Sequence, residues 1–114
     1  MRDEKLHNSC ISWLLNWANT NKPDMILIYG SYLRRKESHD IDVLIVSDEF
    51  CSIDNKKRRE LIPIPDIYQD LFDILLMSSY EWKKNIEVKS PLSTSILQSY
   101  ECIFQMPRRD INGF

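Results

Sequence analysis

The chain has no excess of basic charge: seventeen acidic against fifteen basic residues leave a net charge of −2 over 114 residues. That argues against a dedicated nucleic-acid binder, so any phosphate chemistry must be local. No apolar run approaches the roughly 18 residues needed to span a bilayer, and the opening MRDEKLHNSC carries both charge signs with no apolar signal core. The expectation is a cytoplasmic protein without membrane association. Cys10, Cys51 and Cys102 are odd in number, widely spaced and without a CxxC, which disfavours both a disulfide framework and a zinc site. Repeats, low-complexity tracts and domain linkers are missing too. Residues 1–114 therefore read as one domain with a single core, ending in a tail at 106–114. Glycine is scarce as well. Average usage would supply about eight; the chain has 2, and with Gly113 in the tail Gly30 is left alone inside the fold.

What is present is patterned. Residues 5–19 place Leu6, Cys10, Trp13, Leu14 and Trp17 at helical spacing, and NTNKPD at 19–24 breaks that helix. The Trp13/Trp17 stripe fits a core face or a partner-binding face better than a cofactor box. Met25 to Tyr29 is a short apolar strand punctuated by Gly30, and Ile41 to Ser47 is a second, bounded by Asp48. Residues 52–61 form a polar helix stopped by PIPD, with Lys56 to Arg59 reading as solvated surface. Leu71 to Met77 is a third strand containing Asp73. Ser78 and Glu81 have capping-box spacing and open a helix through about Ile86. A short helix after Pro91 and a strand from Glu101 to Gln105 complete the order, which predicts an α/β (α+β) protein with helices packed on a small sheet.

Three features of this order carry chemistry. A lone glycine ending an apolar strand permits a sharp turn, or lets a ligand approach the backbone; Ser31 is placed to cap the next helix, whose first N–H groups would form a phosphate site. Asp40 and Asp42 are i and i+2 of a strand entry, so they project to one face and repel each other unless a cation intervenes. Carboxylate oxygens are the preferred ligands of Mg²⁺, which fills its remaining positions with water and substrate phosphate. Asp73 sits among Leu71, Phe72, Ile74, Leu75 and Leu76, where an unpaired buried carboxylate would be costly. Either a neighbouring strand sets it beside Asp40 and Asp42, or it faces water from an edge strand. His39 is read as closing a turn, and Arg34, Arg35 and Lys36 as phosphate contacts or a solvated face.

GSYLRRKESHDIDVLIVS, LFDILLMSSYEW and ILQSYECIF together resemble the nucleotidyltransferase fold of the DNA polymerase beta superfamily, and the chain's small size resembles the minimal nucleotidyltransferases of that superfamily. The resemblance covers most of the chain. It implies a small mixed β-sheet with helices against it. Gly30 and Ser31, with Arg34 and Arg35, would bind the nucleotide. Asp40, Asp42 and Asp73 would be the catalytic and metal-binding carboxylates for two Mg²⁺ ions, a role Mn²⁺ could also fill, with ATP as substrate. Two departures stand out: eight residues separate Ser31 from Asp40 where many minimal members have ten, and Lys36 follows Arg34 and Arg35 where they have glycine.

The function the resemblance implies is transfer of a nucleoside monophosphate, AMP from ATP, to a hydroxyl of a partner protein, as the antitoxin of a HEPN-type toxin. The alternative is a nucleotidyltransferase-fold binding module that has lost turnover and neutralises or regulates its partner by masking it. A small-molecule transferase is disfavoured by size, since a single domain leaves no room for a substrate domain; a homo-oligomer is left open.

Overall fold

The computed structural model describes residues 3–107; Gly113 and most of the expected tail lie outside them. Helix α1 spans Glu4–Asn21, with the Asp3 carboxylate accepting from the N–H of Leu6 at 3.1 Å as its N-cap. Strand β1 is Met25–Tyr29, the single-turn helix α2 is Ser31–Arg34, and β2 is Ile41–Val46. A 3₁₀ turn at Asp48–Phe50 leads to α3, Asn55–Glu60, and to α4, Asp66–Gln69, a short helix in a segment read from sequence only as a helix stop. Strand β3 is Phe72–Met77, α5 is Ser79–Glu87, α6 is Pro91–Gln98, and β4 is Tyr100–Gln105. Among the described residues no helix is long and apolar enough to cross a membrane. Cys10 is buried, while Cys51 and Cys102 are exposed, and all three are free thiols. Burial pushes the Cys10 thiol up to about 12, which leaves it inert at neutral pH.

The strands form one mixed sheet in the order β3-β2-β1-β4. β1 runs antiparallel to both its neighbours, and β2 runs parallel to β3, a pairing that needs the long crossover through α3 and α4. The period-2 alternation divides the sheet into two faces. Ile26 and Ile28 of β1, Ile41, Val43 and Ile45 of β2, and Phe72 and Leu76 of β3 meet Cys10, Leu14 and Ala18 of α1. Trp13 and Trp17 flank this helix face half-buried, packed on the same core. On the opposite face Leu27, Leu44, Val46 and Met77 pack under Trp82 of α5 and Ile96 of α6. At ~25 cal/mol per Å² of apolar surface removed from water, these two layers are the main stabilisation of the sheet.

β3 is an edge strand, and its outward carbonyls are covered by the basic run of α3. Arg58 is 6% exposed, contrary to the surface reading of Lys56 to Arg59. Its guanidinium donates to the Leu76 carbonyl at 3.2 Å, to the Ile53 carbonyl at 2.7 Å, and to both oxygens of Glu81 at 2.6 and 3.2 Å. Arg59 donates to the Ile74 carbonyl at 3.4 Å. Capping an edge with guanidinium donors satisfies its carbonyls and blocks pairing with another chain. Glu81 in turn completes the expected capping box with Ser78.

The carboxyl of Glu81 is held below the usual range, chiefly by the Arg58 hydrogen bonds, with its own partial burial opposing. A lowered folded-state pKa contributes stability above the unfolded value of about 4.3 and loses it as pH falls through the lowered one. Arg58→Ala is expected to cost about 2–3 kcal/mol at neutral pH and to flatten the acid limb of a urea-midpoint against pH curve. An unchanged midpoint and an unchanged acid limb would show that the edge holds without it.

Candidate active site at the polar end of the sheet

One end of the face covered by α5 and α6 is polar. Along β2 that face reads Asp42, Leu44, Val46; along β3 it reads Asp73, Leu75, Met77; along β1, from its end backwards, Tyr29, Leu27, Met25. The inner two rows lie against Trp82 and Ile96, and in the outer row Tyr29 still packs partly against that layer. Tyr29 is directly opposite Asp42, and Asp42 is directly opposite Asp73. Residues opposed in this way share a face, so the carboxylates of Asp42 and Asp73 project side by side.

Asp73 is therefore beside Asp42, and it is also on an edge strand and exposed. The edge-strand alternative therefore holds, and the other holds for Asp42 and not for Asp40, which lies outside β2. The desolvation argument made for Asp73 does not hold: of the two opposed carboxylates, Asp42 is the half-buried one. The Asp42 carboxyl is raised above its ordinary pKa first by burial, then by the charges of Asp73 and Asp40 and a hydrogen bond shared with Asp73, against the lowering charge of Arg34. Asp40 lies at the strand entry, exposed, and acts on Asp42 through its charge. Among the described residues no group of three or more His, Cys, Asp or Glu forms a metal cluster by itself. The protein's own contribution is a close carboxylate pair with a third carboxylate nearby.

Gly30 closes the site from above. Its φ of 75° and ψ of −145° are open to glycine and strained for other residues, and a Cβ built there would stand 2.9 Å from Oδ2 of Asp42. The turn is anchored by the Gly30 N–H, which donates to the Ser99 carbonyl at 3.0 Å. Gly30, not Ser31, is the N-cap of α2, because the residue that leaves the strand in this conformation is also the one preceding the first helical residue. Ser31 is the first helical residue, and its Oγ lies 3.4 Å from Oγ of Ser38 across the short loop. With only four residues, α2 offers little macrodipole, so a phosphate here would meet a backbone turn and not a helix end of any length.

Arg34 ends α2 within electrostatic reach of Asp42, and Arg35 follows as its C-cap. His39 sits in the loop with its ring 6.1 Å from that of buried His7, which also meets Tyr32 at 5.6 Å. Tyr29 was not singled out from sequence. Burial, followed by the charges of Asp42 and Asp73, pushes its phenol up to about 12. The available signal was its place two residues from Leu27 on a strand whose even alternation ends at Gly30. A separate groove of about 490 Å³ along α1, lined by Lys5, Ser9, Trp13 and Tyr68 among others, holds no comparable cluster of acids and lies against the opposite layer.

No protein-family model and no curated protein matches the chain. Its structure is similar to a chain in the crystal structure of the toxin-antitoxin MntA-HpeT, solved as a mutant with two aspartates two positions apart changed to glutamate. The TM-score is 0.52 and the identity 17%, over 89% of this chain and 77% of that one. The likeness shows the fold: a small mixed sheet with helices packed against it, as the sequence led one to expect.

Gly30→Ala is expected to destabilise by about 1–3 kcal/mol through backbone strain and contact with Asp42. Adding Asp42→Ala relieves the contact and leaves the strain, so thermal unfolding of the four-variant cycle should show favourable coupling of about 1 kcal/mol. Strict additivity would contradict the placement of Asp42 beneath the turn.

Proposed function

We propose that the chain is a metal-dependent nucleotidyltransferase that moves AMP from ATP onto a hydroxyl of a partner protein, acting as the antitoxin of a HEPN-type toxin. The observation that carries this reading is the opposition of Asp42 and Asp73 beneath a glycine turn, with the Asp42 carboxyl raised by burial and by like charge. Such a pair is stabilised by a cation. Mg²⁺ fits it, because that ion is held by one or two carboxylates plus substrate phosphates and needs no all-protein cage. Asp40, Asp42 and Asp73 are the residues assigned to two such ions, for which Mn²⁺ can substitute. Bound there, the ions would supply charge neutralisation at the phosphates and a lowered pKa for the acceptor hydroxyl.

The chain's own residues have distinct tasks. Gly30 leaves the space above Asp42 clear for the triphosphate, and Ser31 holds the loop around it. Arg34, whose charge reaches Asp42, and Arg35 would bring positive charge to the phosphates. The acceptor oxygen forms a bond to the α-phosphorus, the α–β anhydride bond breaks, and pyrophosphate leaves. Asp73, the more exposed carboxylate, takes the hydroxyl proton. The acceptor hydroxyl is assigned to a partner chain. The toxin-antitoxin pair named for the similar structure supports a protein partner, and its two substituted aspartates have the spacing of Asp40 and Asp42.

A second reading, a binding module without turnover, is favoured by the absence of a self-contained three-acid cluster among the described residues and by the eight-residue loop. The two readings differ in one product. Incubated with ATP, Mg²⁺ and the protein encoded beside it, the wild type should add the mass of AMP to that neighbour. Asp42→Asn should reduce labelling at least 100-fold and leave complex formation intact. The same variant should lose calorimetric binding of a non-hydrolysable ATP analogue with Mg²⁺. A stable complex with no mass increment would establish the binding module instead.

A further inference from the structure

The row that holds Asp42 and Asp73 continues across the other half of the sheet. Tyr29 of β1 is opposite Asp42 on one side and opposite Tyr100 of β4 on the other. The row across all four strands is therefore Tyr100, Tyr29, Asp42, Asp73: two aromatic rings, then two carboxylates, on one face. Tyr29 is half-buried against the layer under α5 and α6, and Tyr100 is 49% exposed at the edge.

This arrangement depends on an irregularity in β4. Pairing steps from Ile26 opposite Phe104 to Leu27 opposite Cys102, so Ile103 is skipped. In an unbroken ladder Glu101 would stand opposite Tyr29, adding a further negative charge to the face that already holds the two aspartates. The bulge moves Glu101 to the other face and brings Tyr100 into the row. Bulges beside active sites re-aim side chains in this way. The start of β4 is also tied to the glycine turn, through the bond from the Gly30 N–H to the Ser99 carbonyl at 3.0 Å. The turn and the tyrosine thus keep a fixed relation.

We infer that Tyr29 and Tyr100 are the platform on which the base of the nucleotide stacks, with its phosphates at the carboxylate end of the same row; the inference rests on the nucleotide-transfer reading above. Strands are spaced 4.7–4.9 Å apart, which places Tyr100 about 10 Å from Asp42 across the sheet. That is on the scale of the reach from a nucleotide's phosphates to its base. Tyr100, 49% exposed, is open to a stacking base, and Tyr29, directly opposite it on the neighbouring strand, would back the sugar. Stacking of this kind is tolerant of base identity, so the platform fixes position more than it selects adenine over guanine.

The test compares ATP with inorganic triphosphate, each with Mn²⁺, binding to the wild type, Tyr100→Ala, Tyr100→Phe and Asp42→Asn. Tyr100→Ala should weaken ATP roughly ten-fold or more and leave triphosphate within two-fold; Tyr100→Phe, which keeps the ring, should bind ATP within about three-fold of wild type. Asp42→Asn should lose both ligands. If Tyr100→Ala binds ATP as wild type does while Asp42→Asn does not, the platform is wrong and the nucleotide site stands. Equal weakening of ATP and triphosphate by Tyr100→Ala would mean a structural role for the ring and would also overturn the platform. A wild type that binds neither ligand would remove the platform and the nucleotide reading together.

Discussion

Asp42 and Asp73 repel each other, and much of the molecule is arranged so that they remain adjacent. The parallel pairing of β2 and β3 sets them in register, and one step of slippage of β3 would send Asp73 to the face packed under α1, away from Asp42. What opposes slippage is the alternation behind them. Leu44, Val46 and Met77 belong under Trp82 and Ile96, and Ile41, Val43 and Ile45 belong under Cys10 and Leu14. Arg58 adds a directional lock by joining α3 to a β3 carbonyl and to Glu81 at the head of α5. Apolar burial and a guanidinium clamp far from the site thus hold a like-charge pair at its end.

The same register explains why the site is assembled from separate segments with so few special residues. Gly30, the one glycine among the described residues, takes a positive φ of 75°, and it coincides with the point where a Cβ would strike Asp42. Turn, carboxylate pair and aromatic neighbours all sit at the ends of strands, where pairing sets their positions and solvent reaches them. The covered part of the sheet supplies stability, and the polar row at its end holds the candidate site. A cation at that row would turn its main electrostatic cost into a binding contribution.

Much of this was legible in the chain because the relevant signals are local. The apolar run Met25 to Tyr29 is β1 to the residue, and the Ser78 and Glu81 spacing is the capping box of α5. The pairing of Gly30 with the Asp40 and Asp42 strand was legible from the break between two apolar runs. What escaped depended on distant partners. Arg58 looks like its neighbours Lys57 and Arg59 in sequence, and only the open edge of β3, with Leu76 18 positions further on, gives it a buried role. The start of β4 at Tyr100 and the bulge at Ile103 follow from pairing with β1, more than seventy positions earlier in the chain, and no periodicity within YECIFQ reports them. For Asp73 the sequence left two alternatives, a partner of the other aspartates or a water-facing residue on an edge strand, and only the strand order and register show that it is exposed at the edge and beside Asp42.

The central claim is that Asp42 and Asp73 form a coupled pair that a divalent ion relieves. The most direct measurement is the titration of the Asp42 side-chain carboxyl by carbon-detected NMR, in wild type and in Asp73→Asn, without and with Mg²⁺ and a non-hydrolysable ATP analogue. The account predicts a wild-type midpoint above the ordinary aspartate value of about 3.9. That midpoint should move down when Asp73 loses its charge, and down further when metal and nucleotide bind. An Asp42 that titrates in the ordinary range, indifferent both to Asp73→Asn and to Mg²⁺ with nucleotide, would contradict it.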